Sequence, residues 1–94
     1  MHIAIICLDK PDAALLRAEY RPAHLEYLQA SADKLVLAGP LLSENAQNPV
    51  GSLIIMDLND VAEARAFADG DPYKQAGVFE SVTIRPWRQV FPKD

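Results

Sequence analysis

The stretch LVLAGPLLSENAQNPVGSLIIMDL, residues 35–58, decides the fold. It holds two apolar runs, 35–42 and 51–58, on either side of a polar loop at 43–49. Runs of that length with Val and Ile predict strands. The short polar link predicts a hairpin, which makes the two strands antiparallel neighbours. Gly39-Pro40 marks the end of the first run.

Working outward toward the N-terminus, residues 22–32 are patterned as a helix, with Pro22 suited to its first turn. Leu15, Leu16 and Ala18 predict a helical turn or two before it, with Asp12 as the N-cap and Pro22 as the interruption or restart. Residues 3–8 form a first strand closed by Asp9-Lys10-Pro11. Toward the C-terminus, Asp60 and Glu63 form a capping box, and Val61, Ala64, Phe67 and Ala68 share one helical face. Gly70 suits the C′ position. Asp71-Pro72 restarts a short helical turn that runs through Ala76 and stops at Gly77. Residues 81–90 are the last strand, and Pro86 inside it predicts an edge position or a bulge.

The order is β-α-β-β-α-β, the ferredoxin-like split motif of the α+β class. It predicts one domain over residues 1–94, with a four-stranded antiparallel sheet and both helices on one face. The strands argue against a wet opposite face. In the first, Ile3, Ile5 and Cys7 point one way and Ala4, Ile6 and Leu8 the other; in the third, Leu53 and Ile55 oppose Ile54 and Met56. Strands apolar on both sides are buried on both sides. A second sheet packed face to face would supply the cover, so a homodimer is expected.

Composition limits the functions. Half of the 94 residues are hydrophobic, which excludes a disordered chain. The net charge of −4 and the scatter of basic residues argue against nucleic acid as a partner. No apolar run reaches the ~20 residues of a membrane span, and the first residues lack a signal-peptide pattern, so a cytoplasmic location is expected. The one cysteine, Cys7, reads as a small core hydrophobe. Two histidines and scattered carboxylates give no metal-ligand spacing, and there is no phosphate-binding glycine loop or nucleophile elbow.

His24 lies on one helical face with Tyr27, Leu28 and Ser31. An imidazole there is either a partnered structural histidine or a general acid–base group. Asp71 reads as the cap to Pro72; a cap uses one carboxylate oxygen and leaves the other to orient an imidazole. Arg21, one turn before His24, suits an anion clamp, a solvated charge or a partner for Asp71. Tyr20, Tyr27 and Tyr73 are candidates for a pocket wall or for packing. Trp87 suits the dimer seam better than a ligand stack. Asp33 and Asp57 read as surface carboxylates, and His2 has no evident partner.

Taken together, Arg21-Pro22-Ala23-His24-Leu25, Ala38-Gly39-Pro40, Gly51-Ser52, Asp71-Pro72-Tyr73, Ala76-Gly77-Val78 and Pro86-Trp87 resemble, in order, the YCII-related family. The resemblance covers nearly the whole chain. It implies a dimeric α+β barrel built on the ferredoxin-like fold. It also implies a histidine–aspartate centre, whose matching positions are His24 and Asp71, with Arg21, Ser52 and Tyr73 as substrate-binding candidates in a cleft between helix and sheet. Two departures stand out: the loop at 43–49 is short, and Trp87 stands where the family more often has phenylalanine. The expected function is an acid–base enzyme on a small molecule, moving a proton in an isomerisation or elimination without a cofactor. The alternative is a dimeric module that binds a small ligand without chemistry.

Overall fold

The computed structural model describes residues 1–93. In chain order the elements are β1 (His2–Asp9), α1 (Ala14–Ala30), a short 3-10 turn (Ala32–Lys34), β2 (Leu35–Leu42), β3 (Pro49–Asp57), α2 (Val61–Gly70), α3 (Pro72–Ala76) and β4 (Phe79–Trp87). The strands form one antiparallel sheet in the order β2-β3-β1-β4. This is the expected ferredoxin-like arrangement. β2 and β3 pair as the predicted hairpin, with Ala38 opposite Ile54 and Pro40 opposite Ser52.

Register fixes which side chains meet the helices. Ile5 lies between Ile54 on β3 and Ile84 on β4, and Cys7 lies between Ser52 and Val82. On this face Ile3, Ile5, Cys7, Ile54, Met56 and Ile84 join Ala64, Ala68, Tyr73 and Val78 in the core. The opposite face carries Ala4, Ile6 and Leu8 beside Leu53 and Ile55, as alternation requires. Ile6 and Leu53 are half-buried there, while Leu8 and Leu37 are exposed. That face is apolar; Ala4 and Ile55 are buried on it, and neither belongs to the core cluster that the helices cover among the described residues.

Several boundaries differ from the sequence reading. Pro22 does not interrupt the first helix; α1 runs through it. Proline removes one hydrogen bond from the ladder, but α1 is tied on both sides of it. Arg17 is bonded to Asp9, Gly51 and Ser52, His24 to Asp71, and Tyr27 to the Phe67 carbonyl. Asp12 is not the cap either: it takes a left-handed φ of 63° in the turn, and Ala13 precedes the helix without a side-chain cap. Finally, β4 ends at Trp87, because Trp87 already pairs with His2 at the start of β1 and residues 88–90 have no strand beside them. Pro86 sits on an edge strand as expected, since β4 is the last in the sheet.

The second helix begins as predicted. The Asp60 side chain accepts from the Glu63 N–H at 2.9 Å, and Glu63 reaches back to the Asn59 N–H at 2.7 Å. Its end differs. Gly70 is the last helical residue and not a left-handed terminator. Its lack of a side chain makes room for the Tyr27 hydroxyl, which a Cβ at Gly70 would meet directly. Gly77 is the residue with the left-handed φ, 85°, and it ends α3 as expected.

Candidate active site

α2 packs against β1 and β4, whereas α1 leans mainly on α3. A cavity of about 470 Å³ is left between α1 and the β2–β3 half of the sheet, within the range of ordinary small-molecule pockets. Arg17, Arg21, His24, Leu25 and Leu28 line it from α1, Ala38, Gly39 and Pro40 from β2, Ser52 and Ile54 from β3, and Tyr73 from α3. A larger depression, about 860 Å³, lies near the chain termini around Met1, His2, Asp57 and Trp87. None of its lining residues is buried, and it is remote from the buried polar groups. The smaller cavity is the chemically equipped one.

His24 and Asp71 come together at one wall. His24 Nδ1 lies 2.8 Å from Asp71 Oδ1, with both residues buried. The same oxygen accepts the Tyr73 backbone N–H at 2.9 Å. The sequence reading divided the two tasks between two oxygens; here Oδ1 performs both. It can, because the N-cap geometry points one oxygen along the end of α3, where the imidazole of α1 also arrives. A carboxylate only accepts, so Nδ1 donates to it, and in a neutral ring Nε2 is then the nitrogen with the lone pair. Nε2 has no hydrogen-bond partner among the described residues, yet no buried polar atom is left orphaned. Nε2 is therefore open to the cavity that His24 lines.

Tyr73 is almost fully buried and stacks on the imidazole, with centroids 3.9 Å apart and planes 12° apart. The Arg17 guanidinium lies 4.6 Å from the same ring centroid. Tyr73 therefore contacts both the imidazole and the guanidinium. Burial pushes the Tyr73 phenol above its ordinary value, against the opposing pull of Arg17 and Arg21.

Arg17 went unmarked in the sequence. Its Nε donates to Asp9 Oδ2 at 2.8 Å and its Nη2 to Asp9 Oδ1 at 3.1 Å, a forked ion pair that is nearly sealed from solvent. Nη2 also donates to the Gly51 carbonyl at 2.9 Å and to Ser52 Oγ at 3.0 Å. Burial pulls the guanidinium down, but the hydrogen bonds and charge of Asp9 hold it above its ordinary value. One signal could have found it. Arg17, Arg21, His24 and Leu28 fall at i, i+4, i+7 and i+11, a polar stripe where a core-facing stripe was due.

The other candidates sort clearly. Arg21 lines the cavity and makes no ion pair among the described residues, so it is not the partner of Asp71. Ser52 lines the cavity, nearly sealed. Tyr27 packs on Phe67, with ring centroids 4.8 Å apart, and Tyr20 does not line the cavity. His2 is not partnerless: its ring faces Trp87 at 6.1 Å. The Cys7 thiol is buried beneath the site and pushed up to about 12 by burial, helped by the charges of Asp71 and Asp9. Among the described residues no group of three or more His, Cys, Asp or Glu side chains gathers as a metal site would need.

These features define a ferredoxin-like α+β protein with a polar cavity under its first helix. The chain belongs to the YCII-related domain family, whose model matches residues 1–88. It is 38% identical over 98 residues to Protein YciI of Escherichia coli O6:H1, covering 97% of this chain and all of that one. An uncharacterised protein of Haemophilus influenzae is 31% identical over the same span and coverage. Among solved structures, the 5-chloro-2-hydroxyhydroquinone dehydrochlorinase of Burkholderia phenoliruptrix, in complex with 2,5-dihydroxybenzoquinone, matches all of both chains with a TM-score of 0.89 and 28% sequence identity. No helix of the described residues is long and apolar enough to cross a membrane.

Proposed function

We propose that this chain is a small-molecule enzyme that moves a proton at His24. The observation that carries the reading is the buried contact of His24 Nδ1 with Asp71 Oδ1 at 2.8 Å, with the opposite ring nitrogen left free on the cavity wall. Nε2 takes a proton from a ligand carbon or oxygen, and Asp71 stabilises the imidazolium that forms. Arg21, a cavity cation with no ion pair among the described residues, balances an anionic group of the ligand, and Tyr73 forms part of the wall. A neighbour in fold that carries a dihydroxybenzoquinone supports small oxygenated rings as the substrate class, with isomerisation or elimination as the reaction.

The enzyme acts as a cytoplasmic homodimer. Support for the dimer comes from the sheet face opposite the helices, where the exposed Leu8 and Leu37 and the half-buried Leu53 would meet a second copy. Sedimentation equilibrium at micromolar concentration tests this half of the proposal, and a stable monomer would sink it.

Proton transfer is tested by deuterium incorporation from heavy water into hydroquinones, ring lactones and 5-chloro-2-hydroxyhydroquinone, followed by NMR. Wild type is expected to exchange a ring proton or release chloride. His24→Gln should lose about 10²–10⁴ in rate while its circular dichroism spectrum stays the same. Exchange that survives in His24→Gln contradicts the proposal. Saturable binding with no exchange by wild type would favour the non-catalytic binding module instead.

A further inference from the structure

Ser52 is a buried hydroxyl whose hydrogen is not donated to any group among the described residues. It is 3% exposed and lines the cavity. Its oxygen accepts from Arg17 Nη2 at 3.0 Å, and it donates to no other group among the described residues. A serine hydroxyl has one hydrogen to give. The guanidinium carries only hydrogens and cannot take it. The strand neighbour on the same face is Cys7, which makes no hydrogen bond to it. The cavity is where a partner for that hydrogen can sit.

Arg17 adds two effects. Its fork on Asp9 and its bond to the Gly51 carbonyl fix the guanidinium, so the oxygen of Ser52 is held in one orientation. A charged donor on that oxygen also polarises its O–H bond and makes it a stronger donor. Placed on β3, Ser52 faces the cavity from the sheet, while His24 faces it from α1.

We propose that Ser52 is the hydrogen-bond donor that receives a ligand carbonyl or enolate oxygen, and that Arg17, held by Asp9, is the positioning residue that aims it. This rests on the reading of the cavity as a ligand site. It narrows the substrate class to rings bearing an oxygen beside the proton that is moved. When His24 removes that proton, the electron pair runs onto the oxygen, and a preorganised donor there stabilises the developing charge. Arg21 then serves a separate anionic group.

Calorimetric titration with 2,5-dihydroxybenzoquinone tests the assignment without requiring turnover. Ser52→Ala is expected to weaken binding about tenfold or more, as loss of a hydrogen bond to a charged or polarised oxygen does. Ser52→Cys keeps the size and loses the strong donor, so it should weaken binding to a similar degree. Arg17→Lys keeps the charge but cannot hold Asp9, Gly51 and Ser52 together. It should weaken binding in wild type and have a much smaller effect in the Ser52→Ala background, because the two act as one unit. Unchanged affinity in Ser52→Ala and Ser52→Cys overturns the assignment while leaving the cavity reading intact. Full additivity of Arg17→Lys with Ser52→Ala overturns the positioning role. Failure of wild type to bind the quinone overturns both the cavity reading and the assignment built on it.

Discussion

α1 and α2 lie on the same face of the same sheet and use it in opposite ways. α2 presents Ala64 and Ala68 to β1 and β4, and both are buried in a continuous apolar core. Small side chains let the helix settle closely, and nothing polar is trapped. α1 buries Arg17 and His24 instead. Each needs a carboxylate, and each has one, Asp9 and Asp71. Long partnered side chains hold the helix away from β2 and β3, and the gap is the cavity. One half of the molecule is thus built by packing and the other by satisfied polar and charged groups.

Removing one charge should break the second half hardest. Arg17→Met leaves Asp9 buried without its partner, and loss of about 3–5 kcal/mol is expected in urea unfolding. Replacing both, Arg17→Met with Asp9→Leu, should recover most of that stability, since a buried ion pair is often no better than packed apolar groups. The double variant should still lose the quinone site. If it stays as unstable as the single one, the charges are not what props α1.

The packed half should respond differently. Ile5→Ala opens a void at the centre of the sheet and is expected to cost about 2–5 kcal/mol. No second substitution at a charged residue should restore it. A loss below about 1 kcal/mol would mean that the packed half relaxes as easily as the cavity half, and the contrast fails.

A smaller effect sharpens the boundary between the halves. Cys7 sits under both, and its thiol is pushed from 9.0 up to about 12. The folded value is the higher one, so the stabilising contribution is full below about pH 9 and is lost as pH rises toward 12. Urea unfolding over pH 8–11 should show a steeper loss for wild type than for Cys7→Ala. Parallel curves would mean that the thiol is not sealed.

The strands and their order were legible because short apolar runs and turn residues carry that information locally. The hairpin at 35–58 and the capping box at Asp60 and Glu63 are cases in point. His24 and Asp71 were readable through their motifs, and Gly77 through its position. What sequence could not show was long-range. Arg17 meets Asp9 only once β1 and α1 fold back on each other, and a lone arginine in a helix reads as solvated. Pro22 looked like a break because its local cost is visible and the distant ties that offset it are not. Gly70 looked like a helix terminator because the Tyr27 hydroxyl that needs the space comes from another helix.

The proposed chemistry requires that Asp71 fix the His24 imidazole with a bare nitrogen toward the cavity. The most direct test is the nitrogen-15 spectrum of the His24 ring, followed from low pH to the pH where it no longer changes, in wild type and in Asp71→Asn. A single tautomer is expected for the neutral ring in wild type, protonated at Nδ1 and bare at Nε2, and loss of that preference in Asp71→Asn. A proton on Nε2 of the neutral ring in wild type, or the same tautomer in both proteins, would contradict it.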